Sequence, residues 1–286
     1  MIAAARPTYL TDHALSRRLE RAEGSSGAAF VEARARLSPA TGAVWREVAG
    51  AYAMFDGVGS PLTQTFGLGL FAPAAPDDLA EMEAFFEERG ADVYHEVSPL
   101  ADRALLTLLP ARGFRPVDLT SVMHQRIAPQ RSASPERDAA PPGSVVARRI
   151  ASGEESLWAE TAARGWSSES AELAAFVRDL GVVSAHSRGT ACFIAECEGI
   201  AVAAAALTVH EGVALLAGAS TVPEWRGRGA QAALLATRLG AAATHGCDLA
   251  MMCAEPGSAS QRNAERQGFR IAYTRIKWGR EAGRRA

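Results

Sequence analysis

No apolar run in the chain reaches the roughly 20 residues that a helix needs to cross a bilayer. The stretch Ile200 to Leu207 is short and Ala-rich, and reads as a buried strand. An excess of positive charge is also missing. The formal net charge is -2, which excludes a protein-wide field for nucleic acid or an anionic membrane surface. Cysteine is scarce: Cys192, Cys197, Cys247 and Cys253 are the only four, all in the second half. Cys192 and Cys197 are five apart on a predicted strand, so they point to opposite faces and cannot share a metal. Free buried thiols in a reducing compartment follow, and no metal is expected. The beginning, MIAAARPTYLTDH, has neither a long apolar core nor a cleavage site, so the expected location is cytoplasmic. What remains is the composition of a globular protein, 48% apolar and 22% charged, in 286 residues, enough for two domains.

Ala128 to Ser144 carries four prolines and no apolar periodicity, and reads as a linker. It divides the chain into a unit at 1–127, a linker at 128–144 and a unit at 145–286. The second unit begins with a strand at Val145 to Ile150 and a helix at Glu154 to Arg164. A second helix follows, capped by Ser168. Strands at Ala191–Cys197, Ala201–His210 and Val213–Val222 are separated by the turns Glu198-Gly199 and Glu211-Gly212. A long Ala/Leu helix runs to about Gly246, and Leu249 to Ala254 is a strand. Ser258 or Ser260 caps a short helix ending at Gly268, and Phe269 to Trp278 is the last strand. The order is an antiparallel meander followed by a βαβ crossover.

In the first unit, Thr11 to Arg36 is mostly helical, Val44–Phe55 and Gln64–Phe71 read as strands, and Asp77–Arg89 is a helix. Val93–Val97 is a strand, Arg103 to Gly113 leads through a helix, and Phe114–Arg126 is a strand. Both units close alike: Arg-Gln-Gly-Phe at Arg266–Phe269 echoes Ala-Arg-Gly-Phe at Ala111–Phe114, the sign of a degenerate duplication. The expected class is α/β in the broad sense (α+β): two domains, each a mixed, mostly antiparallel sheet flanked by helices. The basic end, with Arg280, Arg284 and Arg285, reads as a solvated tail.

Chemistry concentrates in Val-Pro-Glu-Trp-Arg-Gly-Arg-Gly-Ala-Gln, residues 222 to 231, between a strand and a helix. Gly227 and Gly229 allow a tight turn and close approach of a ligand. The amides of Arg228, Gly229, Ala230 and Gln231 are the orphan donors of a helix start, aimed at an anion. Arg226 and Arg228 add charge, and no acid follows in the first turn to compete. The Gly-Lys-Ser/Thr ending of a nucleotide-triphosphate loop is missing. A pyrophosphate suits these features.

Arg226 and Gly229, within Arg-Gly-Arg-Gly-Ala-Gln, match the Gln/Arg-x-x-Gly-x-Gly/Ala loop of the GCN5-related N-acetyltransferases. The chain resembles that family over about 130 residues; Gln231 departs, standing where Gly or Ala is usual. The resemblance implies acetyl-CoA as co-substrate and transfer of its acetyl group to a primary amine, by direct attack in a ternary complex. It implies a cleft where the strand before the loop splays from the strand after the helix. The pantetheine arm would pair with backbone there, near Ser220, Thr221 and Val222. An amide at the splay would hold the tetrahedral oxyanion. The amine, with a pKa of about 10, must first lose a proton to a carboxylate or to water. The family's tyrosine acid, four residues before the closing Gly-Phe, is replaced by Ala264, so water or another group must serve.

Candidate bases are Glu255, at the end of a cleft strand or simply solvated beside Pro256, with Glu196 and His210 near strand ends. Tyr273 either faces the cleft or packs in the sheet. Ser260 and Asn263 either bond the pantetheine arm or cap the last helix. Trp166 is a pocket wall or a core plug. The first unit lacks the phosphate loop: its counterpart, Ala-Pro-Ala-Ala-Pro-Asp-Asp, loses amide donors to proline and places Asp77 and Asp78 where they repel a phosphate. It is expected not to bind cofactor. Two such units in one chain resemble the tandem layout of this superfamily. The expected partner is an amine acceptor, small molecule or peptide, without nucleic acid or membrane; a homodimer is one option. A non-catalytic acetyl-CoA sensor is the alternative function.

Overall fold

The computed structural model describes residues 10–128 and 143–282, so most of the expected linker lies outside the described residues. The first half contributes α1 (His13–Leu37), β1 (Val44–Val48), β2 (Ala51–Phe55), β3 (Gln64–Phe66), α2 (Pro76–Glu87), β4 (Val93–Val97), α3 (Leu105–Ala111) and β5 (Arg115–Arg126). The second contributes β6 (Val145–Arg149), α4 (Glu155–Arg164), α5 (Ala171–Ala185), β7 (Thr190–Cys197), β8 (Ile200–His210) and β9 (Val213–Thr221). It continues with α6 (Ala230–Thr244), β10 (Leu249–Ala254), α7 (Ala259–Arg266) and β11 (Arg270–Arg280). No helix among the described residues is long and apolar enough to cross a membrane.

Local chemistry accounts for most boundaries. Glu198-Gly199 and Glu211-Gly212 turn their hairpins with both residues at positive φ, 50° and 78°, then 43° and 78°. That geometry matches the right-handed strand twist, and glycine takes the second position without strain. Ala49-Gly50 does the same, at 49° and 82°, and so breaks the single strand expected over residues 44–55 into two. The strand expected at 64–71 stops at Phe66, because Gly67 and Gly69 adopt φ of 81° and 68° and fold the chain back. Asp12 caps α1 by accepting from Leu15 N at 2.8 Å. Ser170, not Ser168, caps α5, accepting from Leu173 N at 3.0 Å. Of the two serines offered for α7, Ser258 is the cap, accepting from Gln261 N at 3.1 Å.

All strands join one sheet, ordered β1-β2-β3-β4-β11-β5-β10-β9-β8-β7-β6. The two parallel pairs are β3/β4 and β9/β10, each joined by a crossover helix, α2 or α6. Matching β1 to β7, β2 to β8, β3 to β9, β4 to β10 and β5 to β11 makes the order palindromic about the β5/β11 pair, with the edge strand β6 left without a counterpart. The duplication suggested by the two Gly-Phe endings therefore appears as a pseudo-two-fold arrangement. The halves do not keep separate sheets: β5 lies between β10 and β11, and β11 between β4 and β5. Periodicity identifies strands but not their neighbours, and this exchange left no trace in it.

Helices α1, α4 and α5 cover one face of the sheet; α2, α3, α6 and α7 cover the other. Cys192 packs with Trp158 and Ile194 under α4, and Cys197 with Leu234 under α6, on opposite faces as expected from their spacing. Trp158 Nε1 donates to the carbonyls of Phe193 and Ala205, both at 3.1 Å. Arg280 is not in a solvated tail. It closes β11, buried, with Nη2 2.8 Å from Glu87 and 3.1 Å from Glu83, because β11 runs into the first half. Arg284 and Arg285 lie outside the described residues.

A buried ionic cluster ties α1 to β11. Arg275, 1% exposed, reaches Glu23 at 2.8 Å, Glu20 at 3.3 Å and Glu96 at 3.4 Å. Tyr273 Oη donates to Glu20 at 2.9 Å. One guanidinium serves three carboxylates, and burial pushes the Glu20 carboxyl up from 4.5 to about 7. Its protonated form favours the fold, so this group's contribution is complete below pH 4.5 and is lost as pH rises through about 7. Glu20→Gln keeps an acceptor for Tyr273 and removes that loss. Urea unfolding at pH 5 and pH 8 should show the variant gaining on the wild type at the higher pH, by up to about 3 kcal/mol. An unchanged difference between the two pH values would show that Glu20 does not titrate there.

Candidate active site

The strands β9 and β10 pair only through Val213–Leu249, Ala214–Ala250 and Leu215–Met251, and then part. On its other edge β9 is irregular. Ala204 pairs with Ser220 and Ala206 with Ala217, so Ala205 alone faces both Gly218 and Ala219. Gly218 takes φ of 60°, which completes a β-bulge and turns the strand away from its neighbour. Ala217, Gly218 and Ala219 are exposed although they lie within a strand. The opening continues into a cavity of about 570 Å³ beneath α6 and α7, within the usual range for a small-molecule site.

The N-terminus of α6 stands at the mouth of this cavity. Pro223 to Trp225 form one 3-10 turn, and Gly227 (φ 76°) and Gly229 (φ 83°) reverse the chain into the helix. Gly229 is the N-cap and, having no side chain, caps nothing. The backbone N–H groups from Gly227 to Ala232 donate to no protein acceptor among the described residues; the first helical bond is Ala233 N to Gly229 O at 3.0 Å. No acid occupies the first turn. A Cβ built on Gly227 or Gly229 would meet nothing within 4 Å, so the space before these amides is open. Unclaimed donors at the positive end of a helix are the chemistry by which backbone can hold an anion.

Side chains brace this loop. Arg226 Nη2 donates to Gly165 O at 2.8 Å, linking the loop to the α4–α5 connection. Gln231 Nε2 donates to Thr221 Oγ1 at 2.7 Å, so the residue that departs from the small-residue pattern fastens the helix to the end of β9. The Arg228 guanidinium lies 4.7 Å from the Trp225 ring centre. Ser220, buried, donates to Ala162 O at 2.9 Å.

Of the residues singled out in the sequence, Ser220, Thr221, Arg226, Gly227, Gly229, Ala230, Gln231, Ser260 and Asn263 line the cavity. Val222 and Arg228 do not. Val222 is buried and its N–H is bonded to Val202 O at 2.9 Å. Trp166, 37% exposed, is a wall rather than a core plug. Ala264 is buried against the cavity at the position of the missing tyrosine. None of the four candidates for proton transfer is on the wall: Glu196 pairs with Arg148 at 2.7 Å, and His210 Nε2 lies 3.9 Å from Glu211 at the β8–β9 hairpin. Glu255 is exposed beyond the end of β10. Tyr273 is in the ionic cluster on the face covered by α1, where burial and Glu20 raise its pKa. Sequence reading missed Gly165, Glu169, Leu235, Arg238 and Met252, which line the cavity with Ala219, Trp225, Ala232, Arg266 and Gln267. Glu169 is an exposed carboxylate in the α4–α5 connection.

The pseudo-equivalent helix start in the first half is chemically different. Pro76 occupies the first turn of α2 with Asp77 and Asp78. Asp102 accepts from one amide of the loop before α2, Ala74 N, and from Ala104 N at the start of α3, both at 3.0 Å. These backbone bonds lower the Asp102 pKa.

No protein-family model matches the chain, and no curated protein matches it by sequence. Solved structures match it in shape. A GCN5-related N-acetyltransferase from Kribbella flavida superposes with a TM-score of 0.60 at 20% identity, over 89% of this chain and 96% of its own. A tandem GNAT protein from the clavulanic acid biosynthesis pathway gives 0.55 at 16% identity, over 82% and 79%. A GCN5-related N-acetyltransferase from Sphaerobacter thermophilus gives 0.50 at 19%, over 78% and 72%. The fold is that of the GCN5-related N-acetyltransferases, in tandem arrangement. Likeness at such identities carries the fold and not the chemistry.

Gly165, at the C-terminal end of α4, lines the cavity and packs tightly on Ser220. A Cβ there would fall 2.5 Å from Ser220 Cβ and 2.7 Å from its Oγ. Gly165→Ala should lower stability by about 1–3 kcal/mol through overpacking, read from urea unfolding. Adding Ser220→Gly should recover much of that loss; no recovery would mean that the clash lies elsewhere.

Proposed function

We propose that the protein is an N-acyltransferase that carries the acetyl group of acetyl-CoA to an amine. The observation that carries this reading is the run of unclaimed amides from Gly227 to Ala232, at the mouth of a cavity that leads into the β9/β10 splay. The pyrophosphate of the donor would accept from those amides. The pantetheine arm would run between Thr221 and the α7 side chains Ser260 and Asn263. The thioester carbonyl would reach the bulge at Gly218 and Ala219, where the strand ladder leaves backbone free to hold a developing oxyanion.

The amine would enter beside Trp166 and Glu169, on the side of the α4–α5 connection. Glu169, directly or through water, is placed to take the ammonium proton. The amine nitrogen bonds to the carbonyl carbon, the C–S bond breaks, and the departing thiolate takes its proton from water, since Ala264 offers none. Neither Glu255 nor Tyr273 has a part in this reading. The first half would act as a brace, through β5 on β10, without cofactor, because Asp102, Asp77 and Asp78 stand where phosphate would bind. One observation favours a non-catalytic acetyl-CoA sensor as the second reading: among the described residues, no buried carboxylate or histidine lines the cavity.

Isothermal titration with acetyl-CoA tests the donor site. Gly229→Glu, which sets a carboxylate before the amides at a positive φ, should weaken binding roughly 100-fold or more while circular dichroism stays native. Unchanged affinity would remove the loop from the site. Release of free thiol with a panel of amines separates enzyme from sensor: a sensor binds the donor and releases none. Glu169→Gln should lower kcat at neutral pH by roughly 100-fold if it is the base, with little change in donor affinity.

A further inference from the structure

Two arginines on the wall of this cavity have no task in acetyl transfer: Arg266, exposed and donating to Asn263 Oδ1 at 3.0 Å, and Arg238, which is buried. Arg238 stands on the inner stripe of α6, where Ala230, Leu234 and Ala242 are its buried i±4 and i−8 neighbours. It is 4% exposed and lines the cavity with Ala219, Leu235 and Met252. Its Nη1 donates to Ala206 O at 3.0 Å and, at 3.5 Å, to Ala217 O beside the bulge; its Nε donates to Leu234 O at 3.3 Å. Its Nη2 makes no hydrogen bond to any described residue, and no carboxylate lies within ion-pair distance. The other arginines buried to this degree, Arg34, Arg275 and Arg280, each hold at least one carboxylate. Burial lowers the Arg238 pKa to about 10, which leaves the guanidinium charged at neutral pH. A buried cation without a counter-ion is unfavourable, and an anion delivered by a ligand would offset that penalty.

We propose that Arg238 selects acyl-CoA donors whose acyl chain ends in a carboxylate, of the succinyl or malonyl kind, over neutral chains of similar length. The inference rests on the reading above that the cavity holds an acyl-CoA. Position argues for the acyl chain as the source of the carboxylate. Arg238 lies nine residues after Gly229, about 14 Å along the helix from the amides proposed for pyrophosphate, in the direction a pantetheine arm would extend. It is on the α6 side of the sheet, whereas the entrance proposed for the amine is by the α4–α5 connection. The transfer itself is unchanged: the amine bonds to the thioester carbonyl, the C–S bond breaks, coenzyme A leaves as the thiol, and the distal carboxylate stays on Arg238 without reacting.

The test compares free CoA, acetyl-CoA, butyryl-CoA and succinyl-CoA by titration against the full chain. The wild type should bind succinyl-CoA at least tenfold more tightly than butyryl-CoA, and Arg238→Gln, which can still donate to Ala206 O, should bring the two within about threefold. Equal wild-type affinities for the two thioesters would overturn the proposal without any variant. So would a preference that survives Arg238→Gln. A carboxylate on the acceptor instead would appear as a KM for a carboxylate-bearing amine that rises in the variant while the donor ratio stays the same, and that too overturns it. Failure of free CoA to bind would be a different result, removing the donor site itself and this inference with it.

Discussion

The unequal support of β10 governs the site. On one edge the whole strand is held by β5, from Leu249–Arg126 to Ala254–Ser121. On the other it is held by β9 through its first residues only. A strand so fixed cannot follow its neighbour when a bulge turns that neighbour away. The gap between them is therefore a property of the sheet and needs no ligand to open it. The crossover helix α6 begins over the gap, which is why amides without partners and an apolar trench occur together. By the general rule that ligands of α/β sheets bind at the carboxyl ends of parallel strands, the β9/β10 pair, one of two parallel pairs in an otherwise antiparallel sheet, is the place to look for one.

The two halves show how little of this depends on fold alone. Each has a parallel strand pair with a crossover helix, and each closes with a short helix, a Gly-Phe and a long strand. In the second half the helix begins with glycine, alanine and glutamine, leaving its donors free. In the first it begins with proline and two aspartates, and Asp102, from the loop after β4, takes the Ala74 amide beside it. Opposite electrostatics at equivalent positions make one helix start a candidate anion site and the other a structural joint.

Much of this could be read in the sequence, because the signals were local. Helix and strand periodicities, X-Gly hairpins and the Arg-Gly-Arg-Gly loop depend on residues within a few positions of each other. The readings that changed depend on distant pairing. Tyr273 and Arg280 fall on a strand that alternates well, but which face meets α1 or α2 follows from the insertion of β11 between β4 and β5. Glu169 looked like any polar loop residue. Arg238 was legible in principle: a charge in the stripe Ala230, Leu234, Ala242, where every other member is apolar, is an anomaly that helical spacing alone exposes.

The exchange of β5 and β11 also bears on how such a chain can change over time. Deleting the first half would strip β10 and β11 of the strand between them and leave two open edges beside the cleft. Shortening the second half would take β11 from β4. Whatever chemistry either copy has lost, neither can be discarded, and mutation is free to erode a helix start but not the strand that follows it.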